Sequence, residues 1–204
     1  MRSGFWTMER FRQWVSQFFI AAMVGVVLVS SSRWEQISIA ADVLFALGCL
    51  MVGVAALGRL WCSLYIAGYK DHVLVTTGPY SMVRHPLYFF SLIGGVGVGL
   101  TTETLLIPGM VLLAFALYYP AVIRSEDRRL LRLYGESFQS YFRQTPSFFP
   151  RPSLLKEPDS YTVIPKTYRK HMIYTLWFVW LPALIEIIEA LHERGILPIW
   201  WRVY

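Results

Sequence analysis

Residues 87–100 read LYFFSLIGGVGVGL, residues 101–104 read TTET, and residues 105–123 read LLIPGMVLLAFALYYPAVI. Two long apolar runs joined by four polar residues, none of them basic, predict a tight helical hairpin. Neither run alternates with a polar face, so the hairpin has nothing to offer water and reads as two membrane segments. Working outward, three more apolar runs appear at 18–29 (extendable back to Trp14), at 37–57, broken only by Ser38 and Asp42, and at 172–191. A spanning helix needs roughly 20 mostly apolar residues, so the second, fourth and fifth runs suffice alone and the first and third draw on their flanks.

Composition agrees. Of 204 residues, 55% are hydrophobic and 16% charged. A soluble domain carries roughly 25% charged residues. A disordered chain is thereby excluded and an ordinary soluble globule disfavoured, and the 16% of aromatic residues suits a protein that meets a membrane interface. Cys49 and Cys62 lie in or beside apolar runs, without the spacing of a disulfide framework or a metal knuckle. The expected fold is all-α: a polytopic membrane helical bundle of about five transmembrane helices with a cytoplasmic cofactor-binding region. It forms one membrane-embedded domain, residues 1–204, with a core at about 59–150 and a C-terminal linker and last helix at 151–204.

The formal charge of +6 is a topology signal. Sixteen basic residues fall on one side of the expected spans: Arg2, Arg10 and Arg12, then Arg59, Lys70 and Arg84, then ten between Arg124 and Lys170. Three, Arg33, Arg194 and Arg202, fall on the other. The positive-inside rule places the N-terminus and the sixteen in the cytoplasm. Nucleic acid is not an expected partner, because the basic residues are not interleaved with stacking aromatics on a soluble face. No small-x-small cleavage site follows the first run, which therefore reads as a retained helix and not as a signal peptide. Residues 144–170 hold Pro146, Pro150, Pro152, Pro158 and Pro165 and read as a linker or lid with little regular structure.

Polar chemistry is concentrated in two cytoplasmic stretches. The first is Lys70-Asp71-His72-Val73-Leu74-Val75-Thr76-Thr77-Gly78-Pro79-Tyr80-Ser81-Met82-Val83-Arg84-His85-Pro86-Leu87-Tyr88. Residues 73–77 are extended in type, Gly78-Pro79 is a turn, and Pro86 suits the first turn of a helix. Arg84, His85 and Tyr88 then stand at the mouth of that helix, where its free N–H groups favour an anion. The second stretch, Arg124-Ser125-Glu126-Asp127-Arg128-Arg129-Leu130-Leu131-Arg132-Leu133-Tyr134-Gly135-Glu136, continues the fourth run as a helix with Leu130, Leu133 and Tyr134 on one apolar face. Alone it reads as a solvated surface with short-range pairs such as Glu126 to Arg129. Gly95-x-x-x-Gly99 reads as close helix packing, and no soluble-type nucleotide loop is present in the sequence. Glu189-x-x-His192 lacks the second such pair that a di-iron site requires, so Glu186, Glu189, His192 and Glu193 read as a polar helix end, with Glu186 near the hydrocarbon.

Together the two stretches resemble the integral-membrane methyltransferases, isoprenylcysteine carboxyl methyltransferase and its phospholipid-methylating relatives. The matching residues are His72-x-Leu74-Val75, Gly78-x-Tyr80, Arg84-His85-Pro86-x-Tyr88, Glu126-Asp127-x-x-Leu130, Tyr134-Gly135, Phe138 and Tyr141, over about residues 59–150. The resemblance implies S-adenosylmethionine as methyl donor. It implies cofactor contacts from His72, Val73, Leu74, Val75, Tyr80, His85, Pro86, Leu87, Tyr88 and Glu126. Arg84 suits the cofactor carboxylate, Glu126 its cations, and Tyr80 or Tyr88 its adenine. Glu126, Arg124 and Arg84 are the catalytic candidates; no metal is implied. The expected acceptor is lipophilic: an isoprenylcysteine-like carboxylate, a phospholipid amine or another membrane-soluble molecule, met among the membrane lipids. Three departures from the family pattern bear on the site. The family's Glu-Glu is Glu126-Asp127 here, the Arg expected one turn earlier is Val122, and the Gln expected seven residues before His72 is Tyr65. The alternatives are an NADPH-dependent sterol-type reductase, which typically has Arg-His-x-Asn-Tyr in place of Arg84-His85-Pro86-Leu87-Tyr88, and a non-catalytic membrane binding protein.

The charge asymmetry makes a direct prediction. A cysteine introduced at Arg194 should react with an impermeant maleimide on intact cells, and one at Ser153 only after permeabilisation. The opposite pattern inverts the topology.

Overall fold

The computed structural model describes residues 21, 24–32, 38–69 and 72–203. Residues 24–29 are helical. They lead into β1 (Ser30–Ser32), α1 (Ser38–Ile66), α2 (Pro79–Met82), α3 (Pro86–Leu100), α4 (Leu106–Tyr134), α5 (Glu136–Gln144), a 3-10 turn at Pro152–Leu154, α6 (Pro165–Glu193) and β2 (Trp201–Val203). The rest of the first apolar run and Arg2, Arg10, Arg12, Arg33 and Lys70 lie outside the described residues.

Three described helices, Ile39–Ile66, Leu106–Tyr134 and Pro165–Glu193, are long and apolar enough to cross a bilayer. At 1.5 Å per residue the 29 residues of α4 reach about 43 Å, beyond the roughly 30 Å of hydrocarbon. The 15 residues of α3 reach only about 22 Å. α3 packs between α1 and α4, and α6 lies along α1 and touches α3. The chain is an all-α membrane bundle, as its sequence predicts, with one addition: β1 and β2 form a two-stranded parallel sheet pairing Ser30 with Trp201 and Ser32 with Val203.

Glycine explains how three helices share so short a partner. A Cβ at Gly97 would lie 2.9 Å from the Gly48 carbonyl oxygen and 2.9 Å from the Val52 nitrogen, so here the α1 and α3 backbones touch. Gly99 meets the Pro108 nitrogen at 2.8 Å and Gly95 meets Val111 at 3.1 Å, on the α4 side. The small-residue stripe is thus a packing surface on two faces, the use that small residues have where hydrocarbon surrounds a helix.

The hairpin turn closes as expected. Thr101, Thr102 and Thr104 are buried. Thr102 Oγ1 lies 2.7 Å from the Gly99 carbonyl and 3.0 Å from Thr104 Oγ1. At this end Ser32 Oγ donates to the Glu103 carbonyl at 2.6 Å, and Trp200 N donates to the Val29 carbonyl at 2.8 Å. His192, expected at a bland polar helix end, is buried, with Nε2 3.0 Å from the Leu28 carbonyl. Glu186 is exposed on α6. No group of three or more metal-ligating side chains occurs among the described residues.

Four expectations need correction. The second run does not stop at residue 57: α1 continues to Ile66, which moves Arg59 from a loop into a helix. α6 starts at Pro165, taking the last residues of the proline-rich tract into a helix. Residues 73–77 form no strand. Leu133 is 51% exposed and does not share the inward face of Leu130 and Tyr134.

Gly97→Leu should destabilise the protein by about 3 kcal/mol or more through overpacking. Gly53→Leu, on the same α1–α3 pair of helices but with nothing within 4 Å of its added Cβ, should stay within about 0.5 kcal/mol of wild type. Thermal unfolding in detergent, followed by dye labelling of the buried Cys62, separates the two.

Candidate active site

At the end opposite the hairpin turn, α1 and α4 outrun α3, and residues 72–85 cross the recess. Gly78 turns the chain with φ 59°, and a Cβ there would strike the Tyr65 ring at 2.4 Å. The proline-rich tract is fastened beside it. Gly78 N donates to the Lys156 carbonyl at 2.8 Å, Lys156 N to Ser81 Oγ at 2.9 Å, and Arg151 N to the Met82 carbonyl at 3.1 Å. Tyr161 Oη donates to the Tyr65 carbonyl at 2.6 Å. The tract is a strap rather than a loose linker.

Arg84 organises the recess. Pro86 prevents residues 84 and 85 from continuing into α3, so both side chains turn toward α4 and α5. Arg84 Nη1 donates to the carbonyls of Phe142 at 2.9 Å and Thr145 at 2.6 Å, at the open C-terminal end of α5. Its Nη2 is 3.2 Å from Asp127 Oδ2, and the guanidinium lies 4.0 Å from the centre of the Phe142 ring. His85 Nε2 is 2.9 Å from the other oxygen of Asp127. The Arg84 and Asp127 side chains are only 7% and 13% exposed, so Asp127 compensates a charge that water barely reaches.

Glu126 points elsewhere. Its Oε1 accepts from Arg129 Nη2 at 2.6 Å, one helical turn along. Asp127 makes the direct contacts to Arg84 and His85, while Glu126 faces them across the recess whose wall all three share. The expected solvated Arg129 instead lines the recess.

The recess encloses about 550 Å³. His72 to Val75, Tyr80, Arg84 to Tyr88 and Glu126 all line it, so motif residues from two stretches distant in sequence share one wall system. Arg124 does not; it is exposed, two residues and about 200° around α4 from Glu126. Arg84 is present, but its Nη atoms already hold Asp127 and two carbonyls. Sequence reasoning did not assign Arg129, Leu130, Tyr134, Tyr141, Thr167 or His171 to the lining. Tyr134 and Tyr141 were legible as motif residues. Thr167 and His171 share an i, i+4 face of α6, hidden because that helix begins earlier than its apolar run.

Two buried phenols frame the cavity. Tyr141 Oη donates to the Tyr80 carbonyl at 2.6 Å. Tyr80 Oη is buried without a hydrogen-bond partner. Burial pushes both phenols above the usual tyrosine range, so both stay neutral donors at physiological pH. Tyr88 stacks on His85 at 5.6 Å and meets Tyr119 edge-on at 5.2 Å, and Tyr119 stacks on Phe115 at 3.9 Å. This aromatic series leads to a second cavity of about 660 Å³, lined by Phe115, Tyr118, Tyr119, Gly95, Phe178 and Ile185 among other mostly apolar residues.

Asp127→Asn should leave the Arg84 charge buried beside a neutral amide. A loss of about 3 kcal/mol is expected, read as a fall in melting temperature. Glu126→Gln, on a half-exposed pair, should change stability by under about 1 kcal/mol. Equal melting temperatures for wild type and Asp127→Asn would remove the clamp from the fold's essentials.

The phospholipid methyltransferase family matches residues 37–137. The chain is 41% identical over 194 residues to the cobalt-zinc-cadmium resistance protein CzcN of Cupriavidus metallidurans, covering 95% of this chain and 88% of that protein. It is 40% identical over 195 residues to the nickel-cobalt-cadmium resistance protein NccN of Alcaligenes xylosoxydans xylosoxydans, covering 96% and 90%. A shorter match, 35% identical over 85 residues and covering 40% of this chain and 34% of the relative, is to the protein-S-isoprenylcysteine O-methyltransferase of Schizosaccharomyces pombe. No solved structure matches. The His72-to-Tyr88 and Glu126-to-Tyr141 motifs fold into one recess, and the chain belongs to the isoprenylcysteine carboxyl methyltransferase and phospholipid methyltransferase family of membrane proteins.

Proposed function

We propose that the protein is a methyltransferase that uses S-adenosylmethionine in the 550 Å³ recess and methylates a lipophilic acceptor held in the bilayer. The observation that carries this reading is the convergence of every cofactor candidate, His72 to Val75, Tyr80, His85 to Tyr88 and Glu126, on one cavity beside a second, apolar one.

The residues fit the donor. Glu126 offers a carboxylate to its cations and is held in place by Arg129. Tyr80 offers a buried phenol with a free donor, and Tyr88 and Leu130 offer apolar faces for a purine. With Arg84 engaged by Asp127 and the end of α5, Arg129, whose side chain lines the recess, is the cation nearest to hand for the donor's carboxylate. Bound S-adenosylmethionine supplies an electrophilic methyl group. The chain supplies alignment and a water-poor wall, through the rigid His85–Asp127 contact and the Tyr88–Tyr119 pair. An amine or thiol acceptor needs a proton removed, for which Glu126 and His85 stand nearest the recess; a carboxylate acceptor needs none.

The recess opens at the end of the bundle that carries most of the basic residues, which supports a cytoplasmic site. Two relatives that match over nearly the whole chain are named for resistance to cobalt, cadmium and zinc or nickel, and metal tolerance is the physiological setting this reading adopts.

Purified protein in detergent should bind S-adenosylhomocysteine by calorimetry. His85→Ala and Tyr88→Ala should weaken binding about tenfold, and Glu126→Gln about ten- to a hundredfold. Binding of NADPH without S-adenosylhomocysteine would transfer the assignment to the reductase reading. In a deletion strain, Glu126→Gln should also fail to restore whatever metal tolerance the wild-type chain restores.

A further inference from the structure

α4 carries three charges that the site described so far does not use. Arg124, Arg128 and Arg132 are all exposed and stand four residues apart, so they climb one face of the helix with a drift of only about 40° per step. None of them makes a hydrogen bond, an ion pair or a ring contact among the described residues. The two carboxylates of α4 do not serve them: Glu126 accepts from Arg129, and Asp127 holds Arg84 and His85. Glu126 also leaves the helix about 200° around from Arg124 and from Arg128. Like charges one turn apart weaken a helix, so the row calls for a counter-charge from outside the fold.

The rest of that face says what the counter-charge is. Leu106, Leu113 and Leu117 lie on it, all exposed, Leu117 to 74%. α4 is apolar and long enough to cross a bilayer, so hydrocarbon covers this part of the face. Counted along the helix from Leu106, Arg124 lies at about 27 Å, Arg128 at about 33 Å and Arg132 at about 39 Å. With Leu106 at one boundary of a hydrocarbon layer of roughly 30 Å, the row begins where the hydrocarbon ends and crosses the polar layer, in which the lipid phosphates lie. Long arginine stems let the two outer members lean toward that layer. Leu131, 46% exposed, stands in the row between Arg128 and Arg132. An apolar side chain there suits the boundary between head groups and chains better than a face bathed in water.

We infer that the Arg124, Arg128 and Arg132 face of α4 is a docking site for the anionic head groups of phospholipids in the leaflet at this end of the bundle. The three guanidinium groups hold the lipid phosphates, and the leucines below hold the upper parts of the chains. None of the three arginines lines the recess or the second cavity, so these lipids are ligands of the fold and not methyl acceptors. The inference is independent of the methyl-transfer reading. Anchoring this face at the bilayer surface also holds the opposite face, which carries Glu126, toward the recess.

The test is head-group selectivity, read by electron paramagnetic resonance. Wild-type protein is reconstituted in phosphatidylcholine bilayers, and chain-spin-labelled phosphatidylglycerol or phosphatidylcholine is added. The motionally restricted fraction should favour phosphatidylglycerol by about threefold or more at low ionic strength and fall toward parity in molar salt. Combining Arg124→Gln, Arg128→Gln and Arg132→Gln should remove most of the preference. Combining Lys166→Gln, Arg169→Gln and Lys170→Gln, on the exposed first turns of α6 at the same end, should leave most of it. Inorganic phosphate at matched ionic strength should not displace the label. Equal association of the two lipids with the wild-type protein overturns the proposal, and this arm does not depend on any variant folding. A preference that survives the α4 changes and is lost with the α6 changes also overturns it, and displacement by inorganic phosphate gives the row to a soluble anion instead.

Discussion

A buried guanidinium needs acceptors around it, and much of the half of this structure opposite the hairpin turn is arranged to provide them. Arg84 draws its partners from Asp127 on α4 and from the carbonyls of Phe142 and Thr145 at the end of α5. Those contacts fix α5 against the loop before α3. They align Tyr141 with the Tyr80 carbonyl, and the backbone of Arg84 itself donates to Pro146 at 2.9 Å. The strap from Arg151 to Lys156 then follows the surface so formed. One charge thus ties together segments that hydropathy alone would leave as separate loops, because a guanidinium without a counter-charge in a dry site costs more than ordering the chain around it, even with its Nε left unpartnered.

The three long apolar helices and the motif stretches were legible in the sequence for a simple reason. Apolar runs report burial in hydrocarbon directly, and Pro86 after Arg84-His85 reports a helix start. What was illegible depends on phase and on distance. Glu126 and Asp127 are adjacent, but one residue turns a helix by about 100°, so which of the two meets Arg84 depends on how α4 is rotated. Nothing in the local pattern fixes that rotation. The carbonyl partners of Arg84 lie about 60 residues away and carry no side-chain signature at all.

Charge also misled at both helix boundaries. Arg59 breaks an apolar run and so reads as a loop residue, although its guanidinium packs on Phe178 and bonds to Ser91. Lys166, Arg169 and Lys170 read as linker, although Pro165 ahead of them is a favoured first residue of a helix. Hydropathy measures what a side chain prefers on average; the bundle offers each of these residues a specific environment.

The shortness of α3 has an energetic meaning. Its 15 residues climb only about 22 Å, so with the hairpin turn at one face of a roughly 30 Å hydrocarbon slab its first turn, which carries Pro86 to Tyr88, would stop about 8 Å short of the other. On the methyl-transfer reading this depth has a use. A water-soluble catalyst would have to lift an amphiphile out of its leaflet, against about 0.8 kcal/mol for every methylene exposed. A recess at the level of the tails would spare that cost, and the acceptor's chain length would then weigh on its partitioning between lipid and protein and hardly at all on the barrier to entry.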